Sequence, residues 1–172
     1  MVSNTLIEIF FDGGIKHINA NPLIAETYTE IYWGYQVWRN RSIIHQERGY
    51  NSSDEWIHYS NKNGLPIKKT NNEAEYIALL NSLYYISKAI QSETQLPRNI
   101  SIYGDSKLVI EQTKENWKVK AKNLIPFNKI CKSQLNYLLE IGYIVSLNHV
   151  PRTEDKQKLV DKFARSSNSM YN

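Results

Sequence analysis

Leu6-Ile7-Glu8-Ile9-Phe10-Phe11-Asp12-Gly13-Gly14 is the stretch on which the fold turns. A run dominated by apolar β-branched and aromatic residues stops at Asp-Gly-Gly, which reads as a buried strand handing its last residue to a turn. Outward from it, a polar, Asn-rich loop is expected over residues 13–27, and residues 28–39 and 42–50 read as a hairpin with Arg39-Asn40-Arg41 near its turn. Residues 51–69 contain Asn, Ser, Gly64 and Pro66 and read as a long loop, a kind of segment that is usually functional or disordered in a compact domain.

From Asn72 the apolar period lengthens. Tyr76, Leu79, Leu80, Leu83, Ile86 and Ile90 recur at helical steps and predict a wide, well-buried helical face. Residues 99–104 alternate as a short strand, after which Asp105-Ser106 opens a helix that either side chain is able to cap. Another helix is expected over residues 123–140. Tyr143, Val145, Leu147 and His149 alternate as a last strand, and Leu159, Val160, Phe163 and Ala164 mark a final helix. The order is three strands, helix, strand, one or two helices, strand, helix. It predicts an α/β fold on a mixed five-stranded sheet, with three antiparallel N-terminal strands, then two parallel strands, and helices flanking them. A single domain over residues 1–172 is expected.

Composition sets limits on function. With 41% hydrophobic and 22% charged residues the chain has the balance of a globular protein and not of a disordered one. Apolar runs such as Tyr76 to Leu80 fall far short of the roughly 20 residues that cross a bilayer. No basic region precedes the first apolar run, so no secretory signal is read and a cytoplasmic, monomeric protein without membrane contact is expected. The one cysteine, Cys131, excludes an internal disulfide and a thiolate metal cluster. It shares a helical face with Leu124, Phe127, Leu135 and Leu138, the place of a core thiol. The net charge of +4 permits a polyanionic partner without indicating one.

Chemistry is carried by acids. Asp12 and Asp105 end strands and Glu75 opens a helix, positions from which carboxylates converge at the strand-end edge where α/β sheets tend to bind ligands. Asp161 lies among Val160, Phe163 and Ala164, so its participation requires the last helix to lean across that edge. Taken singly each has an ordinary reading: Asp12 as a turn residue, Asp105 as a cap, Glu75 as a helix-dipole acid, Asp161 as a salt-bridged surface residue. Gathered together they would raise one another's pKa values, a conflict that divalent cations remove. Oxygen-only ligation favours Mg²⁺ or Mn²⁺ over Zn²⁺. Two such ions about 4 Å apart activate water on one side of a phosphodiester and stabilise the leaving oxygen on the other. Asp12 is the natural bridging ligand.

The residues Ile9-Phe10-Phe11-Asp12-Gly13-Gly14, Thr70-Asn71-Asn72-Glu73-Ala74-Glu75-Tyr76, Ile102-Tyr103-Gly104-Asp105-Ser106 and His149-Val150-Pro151-Arg152, followed by Asp161-Lys162-Phe163-Ala164, resemble type 1 ribonuclease H in this order. The resemblance runs from Ile7 to Ala164. It implies a ribonuclease H-like fold and an endonuclease that hydrolyses the RNA strand of RNA/DNA hybrids by two-metal-ion catalysis, leaving 3′-hydroxyl and 5′-phosphate ends. Asp12, Glu75, Asp105 and Asp161 are implied as ligands of two Mg²⁺ ions, with Mn²⁺ as the other candidate. Glu73 competes with Glu75, which is preferred because it directly precedes the apolar helical run. Asn72, with Asn71, is implied as a contact to the RNA 2′-hydroxyl, compatible with a helix-cap role. Ser106 is placed with the substrate-binding residues, and His149 is implied as a mobile histidine that assists turnover.

Trp117, Lys118 and Lys120 alternate charge beside an indole, suited to sugar and phosphate contacts or, alternatively, to a solvated linker. Lys156, Lys158, Lys162 and Arg165 form a second basic cluster, and the hybrid is expected to run between the two. The segment over residues 13–27 lacks the family's glycine-rich sequence. Two other readings compete: a catalytically silent nucleic-acid binding module, and a DNA-directed nuclease on the same fold. The presence of all four acids argues against the first. Asn71-Asn72 and His-Val-Pro-Arg favour RNA over the second.

Overall fold

The computed structural model describes residues 6–21, 23, 26–51 and 69–166. Strands β1 (Ile7–Asn21), β2 (Glu26–Arg39) and β3 (Ser42–Asn51) are followed by helix α1 (Asn71–Gln91) and strand β4 (Asn99–Gly104). Helices α2 (Lys107–Thr113) and α3 (Ile125–Glu140), strand β5 (Ile144–His149) and helix α4 (Asp155–Arg165) complete the order. The five strands form one sheet in the order β3-β2-β1-β4-β5. The first three pair antiparallel, and β4 lies parallel to both β1 and β5. This is the mixed sheet expected from the order of elements, with two helices in the interval left open as one or two. None of the described helices is long and apolar enough to cross a membrane.

Residue parity in β1 builds two cores. Ile7, Ile9 and Phe11 enter the large cluster beneath α1 and α3, while Phe10 faces the other way and meets Trp38 and Val160 of α4. Helix α1 is buried broadly through Tyr76, Ile77, Leu79, Leu80, Leu83 and Ile86. Each such side chain contributes about 1.5–3 kcal/mol of burial, and this cluster holds the helix far more firmly than propensity does. Tyr76 donates to Gln112 of α2 at 2.7 Å and accepts from Asn128 of α3 at 3.2 Å, so three helices share one buried polar node. Cys131 is fully buried in the same core, and burial pushes its thiol pKa up.

The expected loop over residues 13–27 is instead mostly strand. β1 continues past Asp12 to Asn21, and its partners run in register from Ile7↔Arg39 to Asn19↔Thr27. The Asp-Gly-Gly signal for a turn was overridden by that pairing: Thr27, Tyr28, Thr29 and Ile31 are good strand formers that extend the ladder. The glycines serve close packing rather than a turn. A Cβ at Gly13 would lie 2.3 Å from the Ala74 carbonyl oxygen, and one at Gly14 2.4 Å from the Tyr32 hydroxyl. The long loop expected over residues 51–69 lies almost wholly outside the described residues.

Candidate active site

Parallel pairing places the first two acids. Phe11 is opposite Gly104, so Asp12 and Asp105 leave the β1–β4 pair side by side. Ser106 caps α2 by accepting from Val109 N–H at 3.4 Å, which leaves the Asp105 carboxylate for the cleft. At the start of α1, Thr70 and Glu73 form a reciprocal capping box: Glu73 accepts from the Thr70 amide at 2.9 Å, and the Thr70 hydroxyl accepts from Glu73 N–H at 3.2 Å. Glu73 is thereby committed to the helix terminus, and Glu75 is the acid that faces Asp12. The bare Cα of Gly13 lets the backbone at Ala74 and Glu75 approach β1 this closely.

The fourth acid arrives on α4. Gly34 pairs with Asp12, and a Cβ there would sit 2.9 Å from the Cβ of Ala164. Gln157, fully buried, donates to the Phe11 carbonyl at 3.0 Å. These two contacts draw α4 against the sheet on either side of Asp161. The last helix does lean across the edge, as Asp161 required.

One oxygen from each of Asp12, Glu75 and Asp105 lies within 4.8 Å of the others. Asp161 stands outside that group but beside it, hydrogen-bonded to Asp12. Asp12 is pushed up to about 8, first by burial, then by the hydrogen bond with Asp161 and the charge of Asp105. Glu75 is raised well above the usual range by burial and by the charges of Asp12 and Asp105, against a lowering backbone hydrogen bond from Gly13. Burial also raises Asp105, although Arg152 opposes it from 3.3 Å. For Asp161 burial acts upward but is outweighed by hydrogen bonds with Asp12 and Arg165 and by nearby arginine charge, so its pKa is lowered. Arg165 holds it at 2.7 Å.

A metal fits this donor set. Glu75 Oε2 is buried with no hydrogen-bond partner, and the converging ligands are all hard oxygens. Crowded carboxylates with raised pKa values in a cleft of about 350 Å³ are what a divalent cation would relieve.

No protein-family model matches the chain. Among solved structures, ribonuclease H1 of the halophilic archaeon Halobacterium salinarum is 21% identical, with TM-score 0.63 over 94% of this chain and 96% of that one. LC11 ribonuclease H1, isolated from compost by a metagenomic approach, is 20% identical with TM-score 0.65 over 94% of each chain. The protease-reverse transcriptase of prototype foamy virus is 16% identical with TM-score 0.63, over all of this chain and 22% of that one. The fold is that of ribonuclease H.

On this ribonuclease H fold the expected site residues divide into two groups. Asp12, Glu75, Asp105, Asp161, Asn71, Asn72 and Ser106 all line the cleft. Asn71 also ties α1 to β1, its side-chain oxygen accepting from Ile15 N–H at 3.1 Å. His149 is exposed at the end of β5, paired with Gly104, and does not line the cleft. Trp117, Lys118 and Lys120 lie exposed after α2, also outside it. Of the second basic cluster Arg165 reaches the cleft, whereas Lys156 is held by Glu8 at 2.7 Å and lies over the rings of Phe10 and Trp38.

Sequence reasoning missed Tyr32, which lines the cleft from β2, and the closeness enforced at Gly34. An isolated glycine inside a strand pattern signals close backbone approach and would have flagged Gly34. Tyr32 carries no such signal, being one aromatic among several in an alternating strand.

Proposed function

We propose that the protein is a metal-dependent endoribonuclease that hydrolyses the RNA strand of RNA/DNA hybrids. The observation that carries this reading is the convergence of Asp12, Glu75 and Asp105 within 4.8 Å, with Asp161 beside them, on a ribonuclease H fold. A relative of the same fold, LC11 ribonuclease H1, is known in complex with an RNA/DNA hybrid. In this reading Asp12, Glu75, Asp105 and Asp161 hold two divalent cations, Mg²⁺ or Mn²⁺. When bound, such ions activate the attacking water and stabilise the leaving oxygen of a phosphodiester.

The chain's own residues do the rest. Asp12 and Glu75, whose carboxyl pKa values are raised mainly by burial, would hold their charge more readily with a cation beside them. Asn72, with the Asn71 amide nitrogens, offers donors to a 2′-hydroxyl, the group that separates RNA from DNA. Ser106 contacts the strand beside Asp105. His149, one register step from Asp105 across the β4–β5 pair, assists product departure from the rim. Trp117, Lys118 and Lys120 take a more distant part of the backbone through stacking and phosphate contact.

The test is cleavage of an RNA/DNA hybrid, duplex DNA and duplex RNA, each with Mg²⁺ or Mn²⁺, beside an Asp105→Asn variant. The expected result is metal-dependent scission of the hybrid's RNA strand, lost in the variant. Activity that survives Asp105→Asn, or a wild type that cuts duplex DNA and spares the hybrid, overturns the proposal.

A further inference from the structure

Beside the carboxylates the cleft has a positive wall. The ring of Tyr32 lies under two cations: Lys16 Nζ, from β1, is 5.2 Å from its centroid, and the guanidinium of Arg165, from α4, is 5.6 Å from it. Arg48, from β3, lies 5.0 Å over the ring of Phe163 and donates to the Phe163 carbonyl at 3.5 Å. It also donates to the Ser166 hydroxyl, and Lys16 donates to the Arg165 carbonyl. Two strands and a helix thus bring three cations to the C-terminal end of α4, next to the cleft. Their mutual repulsion is felt at Lys16, whose pKa is lowered by burial and by the charges of Arg165 and Arg48, with Glu30 opposing.

Part of this has a local explanation, since cations stabilise a helix C-terminus. Arg165 goes further. It is a cleft residue whose Nε meets Asp161 at 2.7 Å, where its charge opposes cation binding. The planar fork of a guanidinium leaves two further nitrogens beyond that contact, suited to a bidentate anion. Tyr32, 4% exposed, holds the head group from beneath.

We infer that Lys16 and Arg165, seated on Tyr32, form a phosphate subsite for the nucleic-acid backbone, separate from the carboxylates and from the Trp117–Lys120 segment. Arg165 thereby couples the two halves of the cleft, one end bound to Asp161 and the other to a substrate phosphate. The subsite deepens the hybrid-nuclease reading and rests on it.

The experiment measures binding of a fluorescent RNA/DNA hybrid to the full chain in Ca²⁺ or EDTA, across a salt series, for wild type, Lys16→Gln, Arg165→Gln and Arg165→Lys. Lys129→Gln, an exposed α3 lysine that does not line the cleft, serves as control. Each Gln variant is expected to lower the slope of log affinity against log salt by about 1 and to weaken binding several-fold, with Arg165→Lys between. Mn²⁺ affinity, read by electron paramagnetic resonance without substrate, is expected to be equal or tighter in Arg165→Gln, because a competing cation is gone. Unchanged slopes in both Gln variants, or weaker Mn²⁺ binding in Arg165→Gln, overturn the subsite while leaving the nuclease reading intact. A wild type that does not bind hybrid overturns the nuclease reading and the subsite together.

Discussion

Replacing Asp12 with Asn should stabilise the metal-free protein at neutral pH while removing its activity. Asp12 is 4% exposed and its pKa is raised from 3.8 to about 8. Below pH 4 the group is protonated in both folded and unfolded chains and contributes nothing. Between the two values the unfolded chain has released the proton and the folded chain keeps it, so stability falls as pH rises, by about 1.4 kcal/mol per unit. By pH 7 the loss amounts to about 4 kcal/mol. Asn copies the neutral group and does not titrate, so it escapes that loss, while imperfect replacement of the hydrogen bonds to Asp161 and Glu75 costs about 1–3 kcal/mol. Relief wins at pH 7 by about 2 kcal/mol, or about 4–8 °C in Tm for a chain of this length. At pH 4 the relief is absent and the variant is the less stable of the two. Thermal unfolding in EDTA at pH 4, 5.5, 7 and 8 reads the crossover directly. Mg²⁺ or Mn²⁺ should raise Tm of the wild type and do little for the variant. A difference in Tm that stays constant across pH, or an Asn variant destabilised at pH 7 in EDTA, refutes the claim that these carboxylates are held together against their own charge.

Three further outcomes follow from named contacts. Gly13→Ala places a methyl 2.3 Å from the Ala74 carbonyl, so β1 and α1 must part; destabilisation of about 1–3 kcal/mol and a weaker Mn²⁺ affinity are expected together in urea unfolding and metal titration. Glu73→Gln and Glu75→Gln should separate: the first costs about 1 kcal/mol of stability with hybrid cleavage retained, the second abolishes cleavage with the fold intact, as read by circular dichroism and a cleavage assay. Cys131, fully buried with its thiol pKa raised, should resist iodoacetamide at pH 8 until urea unfolds the chain; mass spectrometry showing rapid native-state labelling would contradict the packed α3 core.

The extent to which the fold could be read from sequence followed the range of the interactions involved. Residues 99–104 have strict alternation and became β4 at those limits, and the apolar steps from Tyr76 to Ile86 became the buried face of α1. Both signals are local. Asp12-Gly13-Gly14 reads as a strand end, yet the strand runs on, because the meaning of its glycines is not local. Gly13 is small because the backbone of α1 presses on it and Gly14 because the Tyr32 hydroxyl does, contacts that exist only once distant segments have met. Glu73 and Glu75 show the same division. Local chemistry, the Thr70–Glu73 capping box, disposes of one acid, and only the tertiary position of β1 sets the other against Asp12. His149 and the Trp117–Lys120 segment were visible as motifs, but their place relative to the cleft depends on where β5 and the α2–α3 connection end.

Three glycines and one alanine account for the site more than the acids do. Carboxylates at strand ends and helix starts are common, and a few ångströms of extra separation would leave four solvated surface acids with ordinary pKa values. What draws these four together is steric permission. Gly13 admits the first turn of α1, Gly34 admits Ala164 of α4, and Gly104 admits the Phe11 ring, whose Cζ lies 2.4 Å from where a Cβ would be. The first two of these approaches flank Asp12 from opposite faces of the sheet, the third lies one residue before Asp105, and each would be blocked by a single methyl group. Desolvation then follows from packing, and the raised pKa values of Asp12, Glu75 and Asp105 follow from desolvation. A cleft built in this way penalises its carboxylate charges, and a divalent cation held by them would relieve that penalty, so close packing that costs stability in the empty site would favour a loaded one.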